Sequence, residues 1–145
     1  MKVAVALSGG KDSSLTAALL RKEGRELVGF HLLLCPEEYS PSSSRPEIAA
    51  VRRLADSLEI NLEIIDLRDR FQNEILQPFI ADYRRGLTPN PCVLCNRIFK
   101  FGTLWKIVRQ RGCRKLATGH YARIDKEKGR YYLKKSRSLG RDESY

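Results

Sequence analysis

The 145-residue chain fits one domain, and its 42% of apolar residues can bury a core, although chains of this size are only marginally stable. No run approaches the roughly 18 apolar residues of a membrane helix, and the amino terminus opens on a strand-like segment rather than a charged leader, so a cytoplasmic protein is expected. The net charge of +10 is uneven: residues 71–145 hold 17 basic and 6 acidic side chains against 10 and 11 in residues 1–70, a block that favours a polyanionic partner, the alternative being a solvated basic surface.

Lys2 to Leu7 reads as a buried strand, and the Gly-rich turn after it leads into a helix over Ser13 to Glu23. Leu15, Ala18, Leu19 and the stem of Lys22 share one face of that helix and are its expected core side; Gly24 stops it. Leu27 to Leu34 is a nearly continuous apolar run, as in a strand covered on both faces, followed by a Ser- and Pro-rich loop over Cys35 to Arg45. Pro46 suits the first turn of a helix reaching Leu58, and Leu62 to Leu67 is the third strand.

From Phe71 to Arg85 the apolar spacing predicts a helix kinked or bounded at Pro78, and Gly86 to Pro91 is a rigid connector. A longer helix after Cys92 uses Val93, Leu94, Ile98, Phe101, Leu104, Trp105 and Val108 and ends near Gly112. Lys115 to Thr118 makes a short fourth strand opening onto Gly119-His120-Tyr121, and Ala122 to Lys134 alternates as a hairpin around Gly129. Strands alternating with helices argue for an α/β fold with a parallel sheet, whose ligands sit at the carboxyl ends of the strands where strand order reverses.

The turn Ser8-Gly9-Gly10-Lys11-Asp12-Ser13-Ser14 places backbone N–H groups and a helix amino terminus around one point, which attracts phosphate. The glycines let the backbone approach oxygen closely, the three serine hydroxyls add donors, and Lys11 adds charge. Asp12 makes sense beside a phosphate when Mg²⁺ lies between them, with Ser13 as a neighbour; the competing role for Asp12 is a helix cap. The loop is not GxxxxGK[ST], because Val5 stands where the first Gly belongs and Asp12 follows the Lys.

Cys35, Cys92, Cys95 and Cys113 lack a secretory context, so reactive or metal-bound sulfur is the better question than disulfides. Cys92 and Cys95 open a helix behind two prolines. A helix amino terminus lowers a thiol pKa and Arg97 and Lys100 add positive potential, so Cys95 is expected to be partly thiolate near neutral pH. On spacing alone the pair can be a redox couple, half a zinc site or two ligands of an iron–sulfur cluster, and buried inert cysteines are the remaining reading.

The loop resembles the PP-loop, SGGxDS, of the ATP pyrophosphatase superfamily, whose members cleave ATP to AMP and pyrophosphate while adenylating an acceptor. With SGGKDSS, TPNPxVLCNRxxKF, ATGHYARI and the terminal Arg141-Asp142-Glu143-Ser144-Tyr145 in order, the whole chain is similar to the amino-terminal part of the tRNA-specific 2-thiouridylases. That resemblance implies a Rossmann-like sheet of the adenine nucleotide alpha hydrolase type over residues 1–121, with residues 122–145 as a hairpin and tRNA-contacting linker. It implies ATP held by Ala6, Leu7, Ser8 to Ser14, Leu32 and Gly119, a sulfur-carrying Cys95, and tRNA contacts at Asn96, Arg97, Lys100, Arg141, Asp142 and Glu143. Cofactors would be ATP and Mg²⁺, and partners tRNA and a sulfur-donor protein, either a cysteine desulfurase or a relay.

Three departures stand out. Cys92 occupies a position where many members have Asp, so the CxxC can act as a sulfur relay or hold a 4Fe–4S cluster. Leu33 to Glu38 replaces an aromatic-containing segment and puts Cys35 at the end of the second strand. The family's second catalytic cysteine and carboxyl-terminal domains would lie beyond Tyr145, so the chain reads as a fragment or as a short relative whose partner chain supplies the missing parts.

The expected chemistry is attack of a uridine C2 oxygen on the ATP α-phosphate and displacement of AMP by persulfide sulfur. The rivals are a PP-loop enzyme adenylating a small molecule and a non-catalytic iron–sulfur or zinc module. Phe101, Tyr121, Tyr131 and Tyr132 can stack on bases, though core packing is the expected role for most of them.

Overall fold

In a computed structural model the described residues are 2–36 and 44–144. Strand β1 (Lys2–Ala6) leads through the glycine turn into helix α1 (Lys11–Lys22), and β2 (Glu26–Leu33), α2 (Ser44–Ser57) and β3 (Asn61–Asp66) follow. Most of the predicted loop over Cys35 to Arg45 lies outside the described residues. Helix α2 begins at Ser44, so Pro46 stands in its first turn, where a missing N–H costs nothing.

The next two helical stretches are not uniform. Helix α3 (Arg68–Phe71) widens into a π-helical segment (Gln72–Leu76) and continues as α4 (Gln77–Arg84); α5 (Pro91–Cys95) widens over Asn96–Leu104 and continues as α6 (Trp105–Gln110). Pro78 falls in the first turn of α4, directly after the first widened segment, where the relaxed spacing accommodates its ring and missing donor. Strand β4 (Lys115–Ala117) then completes a four-stranded sheet, and β5 (Ala122–Glu127) pairs with β6 (Arg130–Lys135) as a separate hairpin.

The sheet order is β3-β2-β1-β4, all parallel, with Ala4 opposite both Val28 and Leu116. Chain order runs outward from β1 to β3 and then jumps to the other side of β1, so the reversal lies between β1 and β4. Alternation divides the core accordingly. Val3, Val5 and Leu7 face Ala17, Val51 and Ala55 on one side, while Ala4, Val28 and Phe30 meet Leu104 and Val108 on the other.

Two helix faces differ from the sequence reading. In α1 the buried positions are Ser13 and Ala17, whereas Leu15 and Leu19 are more than half exposed. Small side chains let the helix lie close to β1, and the apolar spacing of Leu15 and Leu19 marked its outer side. In the second long stretch Phe99 is fully buried and Phe101 half exposed, because the wider turns rotate the face that regular spacing assigns. Tyr131 and Tyr132 are also exposed, so core packing does not account for them.

Candidate active site

The turn after β1 is knitted by Ser13. Its buried hydroxyl accepts from the Ser8 N–H at 3.2 Å and donates to the Gly10 carbonyl at 3.0 Å, which also accepts from the Ser14 hydroxyl at 2.9 Å. Gly9 has φ +82°, in the left-handed region where a side chain is strained, and a Cβ there would stand 3.3 Å from Val51. The result is a fixed loop with the first N–H groups of α1 left without intrahelical acceptors.

Underneath, His31 of β2 is buried and its Nδ1 stands 2.6 Å from the Leu7 carbonyl oxygen, while the Leu7 N–H donates to the Phe30 carbonyl at 2.8 Å. Both bonds pin the residue that opens the loop. Sequence reading passed over His31; the signal for it was one polar residue inside an otherwise apolar strand.

Asp12 does not cap α1, whose N-cap is Gly10 with no side-chain bond. Its Oδ1 instead accepts from Lys11 Nζ at 2.9 Å and from the Tyr121 hydroxyl at 3.0 Å. The Lys11 hydrogen bond, with smaller help from Tyr121 and Arg141, holds the Asp12 carboxyl below the usual range, and Lys11 is raised in turn. An ionised carboxylate beside a nest of N–H groups suits a divalent cation carried by a polyphosphate, whereas the Ser13 hydroxyl is committed within the loop.

Tyr121 ties this group to the chain terminus. The Tyr121 N–H donates to Glu143 Oε2 at 3.1 Å, the Glu143 N–H donates to the Tyr121 carbonyl at 2.9 Å, and the Arg141 guanidinium lies 6.0 Å from the ring centroid. The ring is half-buried, and the Lys11 ammonium also lies 5.7 Å from its centroid.

The loop opens onto a cavity of about 500 Å³, a size that accommodates a nucleotide. Ala6, Leu7, Ser8, Gly10, Asp12 and Ser13 form one wall, and Leu32, Leu34 and Cys35 at the end of β2 form another. Cys92, Asn96, Lys100 and Leu104 face them, with Thr118, Gly119, His120 and Glu143 closing the switch-point side. Gly119 is there because nothing larger fits: a Cβ would lie 2.7 Å from the Ser13 nitrogen and 2.8 Å from the Asp12 carbonyl carbon. Of the remaining expected residues, Gly9, Lys11, Ser14, Cys95, Arg97, Arg141 and Asp142 stand outside the cavity wall. Glu47 of α2 joins the wall without having been foreseen.

The second informative segment contributes a polar trio. His120 Nδ1 is 2.8 Å from Thr118 Oγ1, and its Nε2 is 3.3 Å from both Lys100 Nζ and Asn96 Oδ1. Burial, then Lys100, lowers the His120 pKa against a weaker pull from Glu143, so the ring is neutral at pH 7. Asn96, expected to contact tRNA, is buried at the cavity wall.

Asn90 caps α5 by accepting from the Cys92 N–H at 3.1 Å, and Cys92 is exposed at the cavity. Cys95, one turn later, is half-buried, and its thiol departs from the expected thiolate: burial pushes its pKa up, Lys100 opposes this, and Cys92 adds to it. Desolvation outweighs the nearby cation. Cys113 is buried in the core below the sheet. Among the described residues no group of three or more His, Cys, Asp and Glu stands close enough to hold a metal, and no helix is long and apolar enough to cross a membrane.

A model of the tRNA methyl transferase HUP domain matches residues 1–145. The chain is 46% identical over 149 residues to a protein of Moorella thermoacetica named tRNA-specific 2-thiouridylase MnmA, covering 97% of this chain and 42% of that one. It is 43% identical over 145 residues to a protein of the same name from Campylobacter fetus, covering 100% of this chain and 41% of the relative. The chain thus spans about two fifths of the length of these curated relatives. Among solved structures, the U34-tRNA thiolase NcsA of Methanococcus maripaludis with its 4Fe–4S cluster matches with a TM-score of 0.59 and 26% identity, over 83% of this chain and 38% of that one.

Proposed function

From the premise that this chain belongs to the tRNA methyl transferase HUP domain family, whose similar members are named tRNA-specific 2-thiouridylases, we propose that it carries the ATP-dependent half of a tRNA uridine thiolation. The observation that carries this reading is the single cavity bounded by both the phosphate loop and Cys92. Nucleotide activation and sulfur delivery need to meet at one atom; here Cys92 faces the same space as the phosphate loop, and Cys95 stands one helical turn behind it.

In the proposed reaction ATP lies with its phosphates on the N–H groups of Gly9 to Ser13, and the uridine C2 oxygen attacks the α-phosphate. Pyrophosphate leaves, and the former carbonyl oxygen becomes the leaving group AMP. Asp12 would hold Mg²⁺, which neutralises phosphate charge when bound. The outer sulfur of a persulfide on Cys95, loaded by a donor protein, attacks C2 and expels AMP. Cys92 then attacks the Cys95 sulfur, which releases 2-thiouridine and leaves a Cys92–Cys95 disulfide for a cellular thiol to reduce. The neutral His120 and Lys100 stand at the cavity wall to hold the base and its developing charge, while exposed Arg97 and Arg141 supply phosphate contacts.

Cluster chemistry is the second reading, favoured by the fold neighbour's 4Fe–4S cluster. Cys92 and Cys95 would supply two ligands, and the described residues add no third beside them.

The test is thiolation of tRNA by this protein with ATP and a persulfide donor, following pyrophosphate and 2-thiouridine. tRNA should stimulate pyrophosphate release, and Cys95→Ser should retain that release while losing thiolation. Release indifferent to tRNA but driven by a small metabolite overturns the proposal. Anaerobic purification followed by absorption spectroscopy and iron analysis separates the cluster reading.

A further inference from the structure

The β5–β6 hairpin has two unlike faces. Its register pairs Ala122 with Lys135, Ile124 with Leu133 and Lys126 with Tyr131 on one side, and Arg123 with Lys134, Asp125 with Tyr132 and Glu127 with Arg130 on the other. Both carboxylates fall on the second face, where Lys134 reaches Asp125 at 2.8 Å and Glu127 at 3.0 Å. The first face carries no carboxylate at all.

That first face is also open. Ile124 is 71% exposed, Tyr131 72% and Leu133 62%, and Lys126 and Lys135 are exposed as well. Lys126 Nζ stands 5.4 Å from the Tyr131 ring centroid, so the ring is flanked by an ammonium with no acid to neutralise it. Single exposed apolar side chains are ordinary; an aliphatic pair and a tyrosine in one row between two lysines form a stacking surface with charge at its edges.

We propose that this face is a platform for single-stranded RNA, binding the unpaired nucleotides of the tRNA loop that flank the base under modification. The inference rests on the tRNA reading above and adds the place of contact. Unpaired bases stack on Tyr131 and lie over Ile124 and Leu133, while Lys126 and Lys135 meet the phosphates. Charge argues for RNA over a protein: residues 122–137 hold seven basic and two acidic side chains, and both acids are already engaged by Lys134.

The hairpin is rooted where such a strand must arrive. Ala122, Arg123, Ser136 and Arg137 at its base line a second cavity of about 400 Å³, which shares Asp12, Thr118, Gly119 and His120 with the nucleotide cavity. A six-residue strand spans about 20 Å, enough to hold several nucleotides while one is drawn inward.

The test combines tRNA binding over a range of salt with ultraviolet cross-linking mapped by mass spectrometry. Tyr131→Ala should weaken tRNA binding by about tenfold or more, Tyr131→Phe should restore it, and cross-links should fall on residues 122–135. The Lys126→Ala/Lys135→Ala double variant should reduce the slope of log affinity against log salt by about 1.4, the value for two phosphates on a single strand. Binding of an ATP analogue should be unchanged in all three. tRNA binding unaltered by these substitutions, with cross-links elsewhere, overturns the platform while leaving the tRNA reading intact. No tRNA binding by the wild-type protein overturns both.

Discussion

Replacing Gly119 with Ala tests whether the switch point is built for close approach. The added methyl would lie 2.7 Å from the Ser13 nitrogen, and ordinary contact begins at 3.4 Å, so about 0.7 Å of separation must be found between two backbone segments. Neither can yield freely: one is the first turn of α1, locked by the Ser13 hydroxyl, and the other follows β4, paired to β1. Overpacking of this kind costs about 1–3 kcal/mol. On the proposed function the displaced atoms are those that receive the nucleotide, so a comparable loss in ATP binding is expected, about 5- to 150-fold.

Titration with a fluorescent ATP analogue, beside chemical denaturation, measures both quantities. Gly24→Ala is the control, since its φ of +73° strains any side chain but nothing lies within 4 Å of the added methyl. It should lose about 1 kcal/mol of stability and keep its affinity for nucleotide. Equal affinities for the two variants would refute the close-approach argument.

The raised Cys95 pKa predicts that its alkylation by iodoacetamide, read site by site in a mass spectrometer, climbs about tenfold per pH unit from neutrality toward alkaline pH, because the reactive thiolate is the minor form there. Lys100→Met removes the cation that opposes the shift, pushes the pKa further up and slows labelling; a rate already flat from about pH 6 would show a preformed thiolate. His31→Phe leaves the Leu7 carbonyl without its 2.6 Å partner and should cost about 1–3 kcal/mol in denaturant unfolding, and a loss under about 0.5 kcal/mol would remove His31 from the loop's support.

Strands β1 and β2 were legible because each is a short apolar run bounded by turn residues, as a parallel sheet that buries both faces of its central strands requires, whereas the hairpin strands showed only as alternation around Gly129. What failed was rotation about helix axes. Leu15 and Leu19 obey helical spacing yet face water, since α1 presses Ser13 and Ala17 against the sheet to keep its amino terminus at the loop. Phe101 obeys it too, but widened turns hand the buried position to Phe99. Apolar periodicity reports that a face exists; close approach and turn width decide which one is inside.

The electrostatics of the site were less legible for a different reason. Asp12 and Tyr121 are 109 residues apart in the chain, and no local pattern announces that a phenol will hold that carboxylate. Likewise, the sequence places Lys100 near Cys95 but is silent on how deeply the thiol is buried, and burial decides the sign of its shift. A thiol held protonated here is consistent with a cysteine that is loaded by a donor rather than one that attacks unaided, because a persulfide ionises far more readily than the thiol that bears it. If Cys95 carries sulfur as proposed, burial that hinders attack by its thiol would leave the persulfide reactive, and a half-buried position three residues from an exposed Cys92 would suit a carrier and its resolving partner better than two equivalent nucleophiles.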